Sequence, residues 1–207
     1  MRGKFITFEG SEGSGKSTQS KLLCGYLKEK GYKVILLREP GGTKISEKIR
    51  QILLDNKNDG MSPESEMLLY MAARAQVVKE LILPALKDGS VVICDRFLDS
   101  TIAYQGYGLG VDIKLIKYIG NIATLGIKPN LTIFLDLPIE KGLIHRKFKE
   151  DRIERRALSY HSRVRKGYLK LAVTQPQRIK MVRVQQDKQK TQSAIRHLVD
   201  KYVIKQY

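Results

Sequence analysis

Gly10-Ser11-Glu12-Gly13-Ser14-Gly15-Lys16-Ser17 has the G-x-x-x-x-G-K-[ST] spacing of a phosphate-binding loop. The flanking residues decide between that and a plain glycine-rich turn before a helix. Phe5-Ile6-Thr7-Phe8 ahead of it reads as a short buried strand. Thr18 to Leu27 behind it reads as a helix, with Leu22, Leu23, Tyr26 and Leu27 on one stripe. In this setting the glycines let the backbone turn around an anion, so that N–H groups face phosphate oxygens. The helix N-terminus adds its partial positive charge. Lys16 is then placed to reach β- and γ-phosphates, and Ser17 to ligate Mg²⁺. Residues Gly10 to Thr18 are therefore expected to bind a nucleoside triphosphate.

Beyond the loop, apolar runs at Val34–Leu37, Val91–Cys94, Leu131–Leu135 and Met181–Val184 alternate with helical stretches at βαβ spacing. That pattern predicts an α/β fold with a parallel sheet covered on both faces. The longest helix is expected to start at Ser62-Pro63, an N-cap followed by proline. It should run towards Asp88-Gly89 with a kink near Pro84. With no internal repeat and no low-complexity linker, residues 1–207 are expected to form one domain. Asn56-Lys57-Asn58-Asp59 matches the N-K-x-D signature of GTPases. It follows a helical segment rather than a strand and has no D-x-x-G companion, so the match is set aside.

A hydrophobic content of 42% supplies a core. Met1-Arg2-Gly3-Lys4 and the four strand residues after it are too short for a signal peptide. No apolar run approaches the ~20 residues of a membrane helix, so a cytoplasmic protein is expected. Cys24 and Cys94 sit on different predicted elements and read as core thiols. The net charge of +17 is unevenly spread: 19 Lys/Arg face 16 Asp/Glu over residues 1–140, and 19 face 5 over 141–207. Such a basic segment could grip nucleic acid, serve polyanionic nucleotides, or be solvated surface.

Two stretches directly follow predicted strands, where an open parallel sheet lines its ligand crevice. In Cys94-Asp95-Arg96-Phe97, Asp95 is placed to orient Mg²⁺ and Arg96 to stabilise charge on a transferring phosphoryl group; a surface ion pair is the alternative. In Arg38-Glu39-Pro40-Gly41-Gly42-Thr43, the glycine pair allows close backbone approach to a ligand, as would any strand-to-helix turn. Tyr70 and Arg74 share a helix face, where they could stack a base and hold a phosphate. Spacing alone favours a core tyrosine beside a surface arginine. Asp99 to Gly108 is polar and aromatic. Arg146 to Arg156 is charge-dense, as a solvated face or a lid over phosphates would be.

In this order the segments resemble thymidylate kinases (dTMP kinases) over nearly the whole chain. The resemblance rests on Phe-Glu-Gly-x-Glu-Gly-x-Gly-Lys-Ser at 8–17, Arg-Glu-Pro-Gly-Gly-Thr at 38–43, Tyr70 with Arg74, Asp-Arg-Phe-x-Asp-Ser at 95–100, Ala-Tyr-Gln-Gly at 103–106 and Asp-Arg-Ile-Glu at 151–154. It implies transfer of the γ-phosphoryl of Mg-ATP to dTMP on a P-loop nucleoside monophosphate kinase fold, a five-stranded parallel sheet flanked by helices with a short lid. By the same resemblance, Glu12 holds the sugar 3′-hydroxyl and Tyr70 stacks on thymine, a contact of ~1–3 kcal/mol. Arg74 holds thymine or the monophosphate end, while Arg50 and Arg96 engage the acceptor phosphate. Ser100, Thr101 and Gln105 line the thymine edge, Tyr104 crowds the sugar C2′, and Glu39 and Pro40 close the pocket. Where the phosphate loop carries no basic residue, as with Gly13 here, the family places catalytic arginines in the lid. Arg146 and Arg152 match them, in a lid of roughly 145–156. Cations around a loose metaphosphate-like transition state can contribute ~10³–10⁵ in rate.

Two segments depart from the family pattern. Phe148-Lys149-Glu150 is short for a lid, and Val184-Gln185-Gln186-Asp187 replaces an Ile-Asp-Ala-Ser-type stretch near the adenine. An acceptor phosphate is already ionised, so no general base is assigned. His145, His161 and His197 are expected to be solvated or capping, and no zinc spacing occurs. The expected partners are dTMP and ATP, with no specific nucleic acid and no membrane; the resemblance implies a homodimer. Two other functions stay open. A kinase for another nucleoside monophosphate is opposed by Tyr104 and the thymine-edge set. A nucleic-acid-stimulated P-loop ATPase is suggested by the basic segment and opposed by its scarcity of interleaved aromatics.

Overall fold

The computed structural model describes residues 3–144 and 151–204. The elements run β1 (Lys4–Glu9), α1 (Lys16–Glu29), β2 (Val34–Arg38) and α2 (Lys44–Leu54), followed by a short 3₁₀ turn at Asn56–Asn58. Next come α3 (Pro63–Val77), a wider π-helical turn at Val78–Ile82, α4 (Leu83–Lys87), β3 (Val91–Asp95) and α5 (Leu98–Thr101). A second π-helical stretch, Ile102–Gly108, leads to α6 (Ile113–Ala123), β4 (Leu131–Asp136) and α7 (Ile139–Ile144). The chain continues through α8 (Leu158–Thr174), β5 (Ile179–Arg183) and α9 (Lys188–Val199) to a final π-helical turn at Asp200–Ile204.

The five strands form one parallel sheet in the order β2-β3-β1-β4-β5. Alternation along each strand sends side chains to the two faces of the sheet. Ile6, Phe8, Ile93, Ile133 and Val182 pack under α1 and α9 with Leu23, Leu27, Ile195 and Val199. Phe5, Val92 and Cys94 face the α3–α4 side, against Val77, Ile82 and Phe97. Phe134 joins Met67, Ile102, Tyr160 and Tyr168 in the neighbouring cluster. Cys24 and Cys94 are both buried free thiols, as expected. No helix among the described residues is long and apolar enough to cross a membrane.

The last strand begins two residues earlier than its apolar run suggests. β5 is an edge strand whose Met181 is half exposed, so hydrophobicity centres the prediction too late. The long helix starts as expected: the Ser62 hydroxyl accepts from Ser65 N–H at 3.2 Å, and Pro63 occupies the first turn. Its irregularity is the π turn just ahead of Pro84, whose ring would clash with the carbonyl four residues back in a regular α turn. Strand register then sets the functional rim. Asp95 lies opposite Phe8 on one side and Arg38 on the other, so three strands release their loops at one level.

Candidate active site

A cavity of about 650 Å³ opens at that rim. The phosphate loop contributes Glu12, Gly13, Gly15, Lys16, Ser17 and Thr18 to its wall. The acceptor-side residues expected from the sequence also line it: Glu39, Pro40, Arg50, Tyr70, Arg74, Ser100, Thr101, Tyr104 and Gln105, together with Asp95 and Arg96. Gly10, Ser11 and Ser14 shape the loop from behind. The Ser11 carbonyl accepts from Lys16 Nζ at 2.8 Å, and Ser14 Oγ accepts at 3.4 Å. Burial, then the nearby Arg96 charge, lowers Lys16 to a pKa of about 8, with Glu12 and Asp95 pulling the other way. The Ser17 hydroxyl donates to Asp95 Oδ2 at 2.5 Å, joining the two expected Mg²⁺ ligands across 78 residues of sequence.

Arg96 is the hub. Its backbone takes φ +73°, a left-handed conformation costly for a residue with a Cβ, and its N–H donates to the Phe8 carbonyl at 2.9 Å. One end of the guanidinium donates to the Gly10 carbonyl at 3.1 Å, the other to Glu12 Oε1 at 2.6 Å. Tyr104 Oη both accepts from Arg96 at 3.0 Å and donates to Glu12 at 2.8 Å. Burial raises the Glu12 carboxyl, but Arg96, Lys16 and Tyr104 outweigh it and hold the pKa at about 2.

Glu9 was not anticipated from the sequence. Its carboxylate accepts from Phe97 N–H at 2.8 Å and from Ser100 Oγ at 2.5 Å, bracing the backbone beside Arg96. Burial and the Asp99 charge lift it to about 7. The signal was present in the acidic residue ending an apolar strand, but its partners lie 88 and 91 residues away.

Gly13 has φ +72°, and a Cβ there would sit 2.1 Å from the Gly142 carbonyl oxygen of α7. The loop thus has no room for a side chain at that position. Arg74 reverses the spacing-based expectation. It is 2% exposed, donating to Glu39 Oε2 at 2.8 Å, Thr101 Oγ1 at 3.0 Å and the Phe97 carbonyl at 3.0 Å, while Tyr70 is only partly buried. Helical spacing identifies a shared face but not which residue finds a buried partner.

Arg152, expected over the transferring phosphoryl group, is placed elsewhere. It is 3% exposed, outside the cavity lining, with Nη2 2.6 Å from Glu66 Oε2 and Nε donating to the Leu53 carbonyl at 2.9 Å. A desolvated guanidinium so far from water is held by the carboxylate that neutralises it. Arg146, His145 and the shortened lid stretch 148–150 lie outside the described residues. His161 is buried rather than solvated, its ring edge-on to Tyr160 at 5.3 Å, whereas His197 is exposed. Part of the basic C-terminal segment is paired with acids while remaining partly exposed: Arg156 with Glu66, Arg165 with Asp136 and Arg178 with Asp99. Further along, Asp187 caps α9 by accepting from Gln189 N–H at 2.7 Å.

The sequence profile of one family, Thymidylate kinase, matches residues 8–195. A thymidylate kinase of Thermoanaerobacter sp. (strain X514) is 48% identical over 204 residues, covering 98% of this chain and 100% of its own. That of Geotalea daltonii is 53% identical over 189 residues, covering 87% and 88%. Among solved structures, the thymidylate kinase from Ehrlichia chaffeensis superposes with a TM-score of 0.80 at 34% identity, over 95% of this chain and 98% of that one. Motif order, sheet topology and whole-length similarity converge, and this chain belongs to the thymidylate kinase family.

Proposed function

We propose that residues 1–207 act as one kinase unit that phosphorylates dTMP to dTDP with Mg-ATP by direct in-line transfer. The observation that carries this reading is Arg96, whose guanidinium spans the phosphate-loop carbonyl of Gly10 and the Glu12–Tyr104 pair within one cavity. An arginine so placed meets a donor phosphate on one side and an acceptor on the other.

Residues Gly10 to Thr18 bind the ATP phosphates. Lys16, desolvated and close to Arg96, gains from a polyphosphate more negative charge than Glu12, Asp95 and Glu9 provide. Ser17 and Asp95 present two adjacent hard oxygen donors that suit Mg²⁺ and would hold it; the ion neutralises phosphate charge when bound. On the acceptor side, Tyr70 stacks the base, Thr101 and Gln105 read its edge, and Glu12 with Tyr104 meets the sugar. Arg50, fixed by the Pro40 carbonyl at 3.0 Å, and Arg96 grip the monophosphate. No side chain needs to remove a proton, because the attacking oxygen is already ionised; positioning and charge do the catalysis. Arg146 completes the cationic shell from the lid.

The homodimer and a cytoplasmic setting belong to the same proposal. Leu68 on α3 and Tyr118 and Ile122 on α6 are exposed apolar residues on helices that pack together, a face suited to a second copy.

The test is ADP production from Mg-ATP with dTMP, dUMP, UMP, dGMP or AMP as acceptor, and with single-stranded DNA and no acceptor. Turnover concentrated on dTMP and abolished by Arg96→Ala supports the reading. Turnover stimulated by DNA alone, or equal with a ribonucleotide, overturns it.

A further inference from the structure

Glu66 is a fully buried carboxylate that faces the acceptor cavity's two walls without lining the cavity itself. Its Oε1 accepts from Gln105 Nε2 at 2.8 Å and from Arg156 at 3.2 Å. Its Oε2 accepts from Arg156 at 2.7 Å and lies 2.6 Å from Arg152. One group on α3 therefore ties the π-helical stretch 102–108 to the segment 151–156, whose Asp151, Ile153 and Glu154 form the facing part of the wall.

We propose that Glu66 is a positioning residue for the acceptor site, fixing the Gln105 amide on the base side and, through Arg152 and Arg156, the wall segment 151–156. The proposal rests on the kinase reading and deepens it. The amide cannot turn over, because that would set Gln105 Oε1 against a carboxylate that offers only acceptors. With its NH₂ end committed, Gln105 keeps its carbonyl end as an acceptor, which suits a base presenting an N–H at that edge. Arg152 is bound at Nε by Leu53 of α2 and at Nη2 by Glu66, so it joins α2, α3 and the wall. It thereby becomes a support of the acceptor site rather than a cation on the transferring group. Arg156 Nη1 also donates to the Tyr160 hydroxyl at 2.8 Å, which fixes the guanidinium against α8.

Glu66→Gln, Arg152→Met and the double substitution test this, with Arg156→Lys as the milder change should Glu66→Gln not fold. We expect the dTMP KM to rise about tenfold or more in each single variant, with ATP KM within about twofold of the parent. The double variant should be no worse than Glu66→Gln alone, since that substitution already cuts the link to Arg152. Hydrogen exchange of amides 151–156 should accelerate in Glu66→Gln while amides of β1 stay protected, a readout that needs no turnover. The proposal is overturned if Arg152→Met lowers kcat by about a thousandfold at unchanged dTMP KM, or if Glu66→Gln leaves both KM and exchange as in the parent. An absence of turnover with dTMP in the parent enzyme would instead strike the kinase reading. The exchange comparison would still decide whether Glu66 holds the wall.

Discussion

Replacing Arg74 by methionine removes a guanidinium from a dry site and keeps most of its volume. In the parent, Arg74 is 2% exposed and donates to Glu39 Oε2, Thr101 and the Phe97 carbonyl, while Glu39 Oε1 has no hydrogen-bond partner among the described residues. The variant strands a buried carboxylate, and breaking a buried pair from one side costs about 3–5 kcal/mol. For a chain of this length that lowers Tm by roughly 6–20 °C, at about 2–4 °C per kcal/mol. The pH dependence has a definite sign. Burial raises the Glu39 pKa and Arg74 pulls it back, so removing Arg74 lifts it further. An acid whose folded pKa is raised destabilises the fold above that pKa and ceases to do so as pH falls towards the unfolded value. Urea unfolding followed by circular dichroism should therefore show a deficit that is large at pH 8 and shrinks by pH 5. The double variant Glu39→Gln/Arg74→Met should recover much of it. A deficit below about 1 kcal/mol, against the 3–5 expected, or one that ignores both pH and the second substitution, would refute the reasoning.

Gly13→Ala puts a Cβ 2.1 Å from the Gly142 carbonyl at φ +72°, so the loop or α7 must move. We expect ATP KM to rise at least tenfold, and titration with a non-hydrolysable ATP analogue checks it. Lys16, with a pKa of about 8, binds phosphate only when protonated, so analogue affinity should be flat below pH 8. Above that it should weaken by up to about tenfold per unit, a slope absent from Lys16→Met. Ser17→Ala removes one of two adjacent oxygen donors and the hydrogen bond that orients Asp95. The Mg²⁺ concentration for half-maximal rate should rise by about tenfold, equivalent to ~1.4 kcal/mol; an unchanged midpoint would show that the hydroxyl is not a ligand.

The sequence by itself determined the phosphate loop, the alternation that becomes the parallel sheet, and the two strand-end motifs at Arg38 and Asp95. These are local patterns: period-two burial, a glycine spacing, and the rule that strand ends face the ligand crevice all act within a few residues. The tertiary structure decided what needed a partner from far along the chain. Arg74 looked like a surface residue until Glu39, 35 positions earlier, gave it a buried counter-charge. Arg152 looked like a lid cation, and His161 like a solvated or capping ring. Glu9 and Glu66 gave no signal beyond their acidity, since their partners lie 88 to 159 residues away in one case and 39 to 90 in the other. Which cation meets phosphate and which meets a buried carboxylate is settled only when desolvation and pairing compete in three dimensions, and periodicity carries no record of that competition.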